Sequence, residues 1–214
     1  GNERIYIYGI SPVLRRVISN LSRNEYLSVL QIAKCFGVPP RNLYYWLQGK
    51  RPVILNKFLE FVDASSYTLD DLFDDIKLNI KGVATGSGKR KKIILLPFTL
   101  TEDLAYLVGY LFGDGCLHSK KWIISFCDEY KEQIDRVNDL ICKTFTISGK
   151  VICYPNRTEL RIYSKALWLF FNKIFEMPSG KKYNVKIPSI IKNNLKLELM
   201  FFRGFIKENA ERYN

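Results

Sequence analysis

Twelve residues from Leu104 to Gly115, LAYLVGYLFGDG, constrain what this chain can fold into more than any other stretch. They are nearly all apolar, so a helix here must be covered on most sides. Ala105, Gly109 and Gly113 recur every four residues and leave one helical face without side chains. Glycine inside a helix costs about 0.5–1 kcal/mol relative to alanine. Two glycines on one stripe therefore predict a second backbone pressed close to that face. The helix ends at Asp114, an anion facing the negative end of the macrodipole. A bound cation would reverse the sign of that interaction, which predicts a metal ligand. The alternative for Asp114 is a solvated turn aspartate before glycine.

Charge sets the broad class of partner. The chain of 214 residues carries 33 Lys and Arg against 21 Asp and Glu, a formal net charge of +12. Such an excess favours a polyanion, either nucleic acid or an anionic membrane surface. The basic residues are interleaved with strand-like segments and not gathered on one amphipathic helix, so no membrane partner is expected. No apolar run approaches the roughly 18 residues of a membrane span. Nothing resembles a secretory leader, and neither end has the Cys or Ser start or the His-Asn finish of a splicing element. Five cysteines without C-x-x-C spacing and a single histidine, His118, argue against zinc and for reduced thiols. The expected location is cytoplasmic and nucleoid-associated, with no small-molecule substrate.

The charge is unevenly distributed. Residues 60–75 hold six acids and no base, and residues 77–92 hold six bases and no acid. The small, turn-rich run from Gly82 to Gly88 lies inside the basic block. This pattern predicts a first domain over 1–76, a basic flexible linker over 77–98 and a second domain over 99–214. Lys89, Arg90, Lys91 and Lys92 of that linker are candidates to track a phosphate backbone. The Gly82…Gly88-Lys89 sequence is not a phosphate loop: five residues separate its glycines, and Arg90 stands where Ser or Thr would bind magnesium.

In the first domain, apolar periodicity predicts helices over Val13–Leu21, Leu27–Phe36, Pro40–Gln48, Leu55–Val62 and Leu69–Ile76. The third has Leu43, Trp46 and Leu47 on its inner stripe. Arg41, Asn42, Tyr45 and Gln48 remain on its outer face as candidate base-reading residues. Lys50 and Arg51, just past its end, are placed to reach phosphates. The run from Ile32 to Pro52, with the tail Tyr67-Thr-Leu-Asp-Asp-Leu72, resembles the phage-repressor type of helix-turn-helix domain. Such domains also serve as protein-docking modules.

The stretch LAYLVGYLFGDG looks like the LAGLIDADG motif of homing endonucleases. In that family two such helices pack face to face, and the terminal acid of each binds a divalent metal. The family order of motif helix, two strands, helix, two strands and helix fits the patterning here. Strands are expected over Cys116–His118, Trp122–Cys127, Lys150–Tyr154 and Glu159–Tyr163, and helices over Glu129–Phe145, Ala166–Phe175 and Leu195–Ile206. The resemblance implies an all-α helix-turn-helix domain followed by an α+β LAGLIDADG-type domain, αββαββα with a curved antiparallel sheet. Asp114 would be catalytic and bind Mg²⁺ with the Gly113 carbonyl. Ala105, Gly109, Gly113 and Gly204 would line the helix contact, and Lys150, Tyr154, Arg157 and Arg161 would face double-stranded DNA. His118, on a strand leaving the site, is not needed as a base.

The second motif helix is degenerate: in Phe202-Arg-Gly-Phe-Ile-Lys-Glu-Asn-Ala210, Glu208 and Asn209 stand where a glycine and the acid are expected. Three explanations stay open. The chain is a piece of a two-repeat enzyme, a half-sized unit that forms a homodimer, or a relic that binds without cutting. The expected function is accordingly a metal-dependent, site-specific DNA endonuclease. The alternative is a catalytically inactive DNA-binding protein or transcriptional regulator on the same scaffold.

Overall fold

The computed structural model describes residues 4–88, 91–118, 120–182 and 185–206. The chain divides into two compact units, Gly1–Leu95 and Leu96–Asn214.

In the first unit, β1 (Tyr6–Tyr8) leads into α1 (Ser11–Asn24), which starts with Pro12 in its first turn and buries Val13, Leu14, Val17, Ile18 and Leu21. A capping box opens α2 (Val29–Cys35): the Ser28 hydroxyl accepts from the Gln31 backbone N–H while Gln31 accepts from that of Ser28. Gly37 then turns the chain at a φ of +60°. Pro40 occupies the first turn of α3 (Pro40–Leu47), whose Leu43 and Trp46 enter the core. The short β2 (Val53–Ile54), α4 (Leu55–Ala64), α5 (Phe73–Asn79) and β3 (Gly82–Ala84) complete the unit.

Three expectations are corrected here. The first unit is not all-α, because β2, β1 and β3 form a three-stranded antiparallel sheet in which Tyr6 stands opposite both Ile54 and Ala84. The stretch 77–98 is not a free linker either. Val83 and Ile94 are buried and exchange two backbone hydrogen bonds, of 2.8 and 2.9 Å. These strands are too short to show alternation, and their partners lie far away in sequence, so a local pattern does not reveal them. The helix expected over Leu69–Ile76 begins later: Thr68 and Asp71 bond each other across a turn, and α5 starts at Phe73.

In the second unit, Thr101 caps α6 (Glu102–Asp114) by accepting from the Leu104 N–H. There follow β4 (Gly115–His118), β5 (Ile123–Asp128), α7 (Lys131–Phe145), β6 (Lys150–Tyr154), β7 (Arg157–Tyr163), α8 (Lys165–Ile174) and α9 (Leu195–Ile206). The strands form one antiparallel sheet in the order β4-β5-β7-β6. Ile124, Phe126, Leu160 and Ile162 fill its inner face together with Ile134, Val137, Ile141 and Phe145 of α7. The unit as a whole is thus a mixed α and β structure with an antiparallel sheet.

Beneath the sheet, the Tyr110 hydroxyl donates to Asp128 Oδ2 at 2.5 Å, and Oδ1 of the same carboxylate accepts from the Tyr130 N–H at 2.9 Å. Burial, helped by the Asp128 charge, pushes the Tyr110 hydroxyl well above the ordinary tyrosine range. Removing that donor leaves a buried carboxylate underbonded. Tyr110→Phe is therefore expected to lower stability by about 2 kcal/mol, read as a fall in the urea midpoint with unchanged slope.

Candidate functional site

The glycine stripe of α6 is covered by α9 of the same chain. A Cβ built on Gly109 would lie 1.9 Å from the Phe201 carbonyl oxygen, and one on Gly113 would lie 2.7 Å from that of Phe205. From the other side, a Cβ on Gly204 would lie 2.1 Å from the Tyr106 carbonyl oxygen. The two backbones touch where both helices lack side chains. Ala105 lies fully buried on the same stripe. A homodimer through this stripe would need the space that α9 already fills.

At the end of α6 Asp114 is exposed, and the Lys182 ammonium lies near enough to feel its charge. Lys182 Nζ donates to the carbonyl oxygens of Leu111, Phe112, Gly113 and Gly115 at 3.2, 2.9, 2.6 and 2.8 Å. An ammonium here satisfies carbonyls that a helix C-terminus leaves without partners and complements the dipole. Burial holds Lys182 below the ordinary lysine value, while the Asp114 charge pulls it back up. Burial likewise raises the neighbouring Cys116 thiol, with Lys182 opposing.

These donors do not fit Mg²⁺. The Gly113 carbonyl expected to bind the ion already accepts the shortest of the Lys182 bonds, and an ammonium at that distance repels a divalent cation. Among the described residues no three of His, Cys, Asp and Glu gather into a set that could hold a metal. Glu208 and Asn209 lie outside the described residues. Nothing local in the sequence marks Lys182, because 67 to 71 residues separate it from the carbonyls it bonds.

The outer face of the sheet collects the four hairpin candidates. Lys150 stands opposite Arg161, and Tyr154 opposite Arg157. The Arg157 guanidinium lies 5.2 Å from the Tyr154 ring centroid. Arg161 is paired on this face: its Nε and Nη2 each donate at 2.8 Å to Glu159, a residue only 4% exposed, and Nη2 also reaches the Tyr154 hydroxyl. Hydrogen bonding to Arg161 holds Glu159 below the usual carboxylate range. The stability this gives is present above the ordinary value of 4.5 and is lost as pH falls through the lowered folded value. Glu159→Gln is expected to flatten the acid side of the stability curve, and an unchanged curve would refute the pairing. His118 Nε2 sits 2.9 Å from Ser125 Oγ.

In the first unit the α3 candidates hold one another. Arg41 Nε donates to the Tyr45 hydroxyl at 2.8 Å, and Arg51 Nη1 donates to Asn42 Oδ1 at 3.3 Å. Gln48 and Lys50 are exposed. Lys91 Nζ lies 4.8 Å from the Tyr8 ring centroid, and Lys92 is exposed. Lys89 and Arg90 lie outside the described residues. Among the described residues no helix is long and apolar enough to cross a membrane.

No family model matches the chain. It is similar to an A-type ATP synthase subunit of Pyrococcus abyssi, 34% identical over 143 residues, which is 63% of this chain and 13% of that protein. The corresponding ATP synthase protein of Pyrococcus horikoshii is 30% identical over 120 residues, 55% of this chain and 12% of that protein. Elongation factor 2 of Methanopyrus kandleri is 23% identical over 173 residues, 76% of this chain and 13% of that protein. The matches thus span only 12% to 13% of each relative's length. These names correct the functional expectation. Two relatives are named for an ATP synthase, and none of the three is named as a nuclease, a homing endonuclease or a DNA-binding regulator.

Proposed function

We propose that this chain is a two-unit module of the kind carried within the A-type ATP synthase relatives, a segment added to those proteins and separate from their catalytic work. The observation that carries this reading is the small share matched, 12% to 13%, in relatives of two different names. A part needed for ATP synthesis would not be expected in an elongation factor as well. Each unit also has its own buried core, as a portable segment requires.

The architecture we infer for the second unit is of the LAGLIDADG type, preceded by a helix-turn-helix-like unit. The αββαββα order and the backbone contact of Gly109 with Phe201 support it. The partner we propose is double-stranded DNA. Lys150 and Arg157 on the outer sheet face, together with the overall +12 charge, support a polyanion.

Two measurements test this. Excising the matched segment from the Pyrococcus abyssi protein is expected to leave ATP hydrolysis by the remainder intact; loss of hydrolysis would overturn the module reading. Titrating the full chain with a duplex of about 30 base pairs should give binding that weakens with salt, the logarithmic slope being about −0.9 per phosphate neutralised. Lys150→Gln and Arg157→Gln should each make that slope shallower by about one contact. Salt-independent binding, or none, would remove the DNA partner and leave the module reading standing.

A further inference from the structure

The first unit holds an open pocket of about 480 Å³, within the range of small-ligand sites. Three separate stretches build it. Arg4 and Tyr6 come from the start of β1, Asn42 and Trp46 from α3, with Lys50 and Arg51 beyond it, and Lys91 follows β3. Four lining side chains are cationic and no lining residue is acidic. Among the described residues none of these four has a carboxylate partner. The first unit does pair other cations with acids, Arg16 with Asp75 and Lys57 with Glu60.

What holds Arg51 and Lys91 is neutral. Arg51 donates to Asn42, and its guanidinium lies 4.9 Å from the Tyr45 ring centroid; Lys91 rests against the ring of Tyr8. Neutral partners orient a cation without cancelling its charge. Four such charges around a concave surface repel one another and focus a positive potential that a multiply charged anion relieves. Beside them the half-buried Tyr6 offers aromatic surface, with the largely buried Trp46 lining the wall behind it, and the Asn42 amide offers a donor and an acceptor suited to a base edge.

We propose that this pocket binds a nucleoside phosphate, with the phosphate against Arg4, Lys50, Arg51 and Lys91 and the base beside Tyr6 and Trp46. The same chemistry is offered by a free nucleotide or by one nucleotide of a single strand. The site is independent of the duplex partner proposed above, whose supporting residues lie in the second unit.

Calorimetric titration of the full chain with adenosine monophosphate, inorganic phosphate and adenosine tests it. Adenosine monophosphate should bind most tightly, and Arg51→Gln or Lys50→Gln should weaken it at least tenfold. Arg157→Gln on the sheet should leave it unchanged. Melting curves matching the parent chain check that the variants are folded. Absence of binding at millimolar nucleotide, or equal affinity in folded Arg51→Gln, overturns the site. Phosphate binding as tightly as the nucleotide overturns the nucleoside part, and adenosine doing so overturns the phosphate part. Single-stranded pentadeoxyadenylate binding more than tenfold tighter than the monomer assigns the site to a strand, and equal affinity assigns it to the free nucleotide; either supports it.

Discussion

Gly109→Ala is expected to separate the α6–α9 helix pair and lower stability by about 3 kcal/mol or more. The added methyl would sit 1.9 Å from the Phe201 carbonyl oxygen, and that atom belongs to a backbone with no rotamer by which to withdraw. Alanine's better helix propensity returns at most about 1 kcal/mol, so the clash decides the sign. Gly204→Ala meets the same obstacle from the opposite helix, 2.1 Å from the Tyr106 carbonyl oxygen. Since both act on one contact, the double variant should lose less than the sum of the two. Gly86→Ala is the control. Nothing lies within 4 Å of its added methyl, and the change should be neutral or slightly stabilising. Urea unfolding of the four chains measures all of this. A Gly109→Ala chain as stable as the parent would mean that the helices do not touch through their backbones.

Lys182→Met should cost about 2–4 kcal/mol, because it withdraws the donor shared by four carbonyl oxygens at the end of α6. The pH dependence carries a second signature. Burial sets the folded Lys182 value below the unfolded value of 10.5, so between the two the unfolded chain holds more protons. Stability should therefore rise as pH climbs through the window just below 10.5 and fall back as pH drops through the folded value. The methionine variant should lack this rise. Urea midpoints taken at intervals across that window, from about two units below it, would show the difference. Parallel curves for the two chains would rule out a buried ammonium.

One physical division separates what is legible in these residues from what is not. The α6 stripe is legible because helical periodicity repeats every few residues, so Ala105, Gly109 and Gly113 declare a bare face within a short stretch. The four strands of the second unit and the helices between them are legible for the same reason: alternation and amphipathic spacing are local. The sheet of the first unit is not, because β1 and β2 are three and two residues long and are strands only by virtue of pairing with each other and with β3. Glu159 and Arg161 stand two apart on one strand, so alternation alone puts them on one face, but only the assembled sheet buries Glu159 and makes it take both guanidinium bonds.

From the residues alone came the expectation that the bare face of α6 meets another backbone and that the anion at its end holds a cation, with a solvated turn aspartate as the alternative. Both are consequences of covalent geometry and of the summed peptide dipoles, which travel with the residues wherever they fold. Which backbone and which cation were settled only by tertiary structure. Phe201 and Lys182 reach α6 from about 70 to 90 residues downstream, and no short-range rule of chain chemistry extends over such a separation. The cation that the fold brings to the end of α6 is an ammonium bonded to the Gly113 carbonyl.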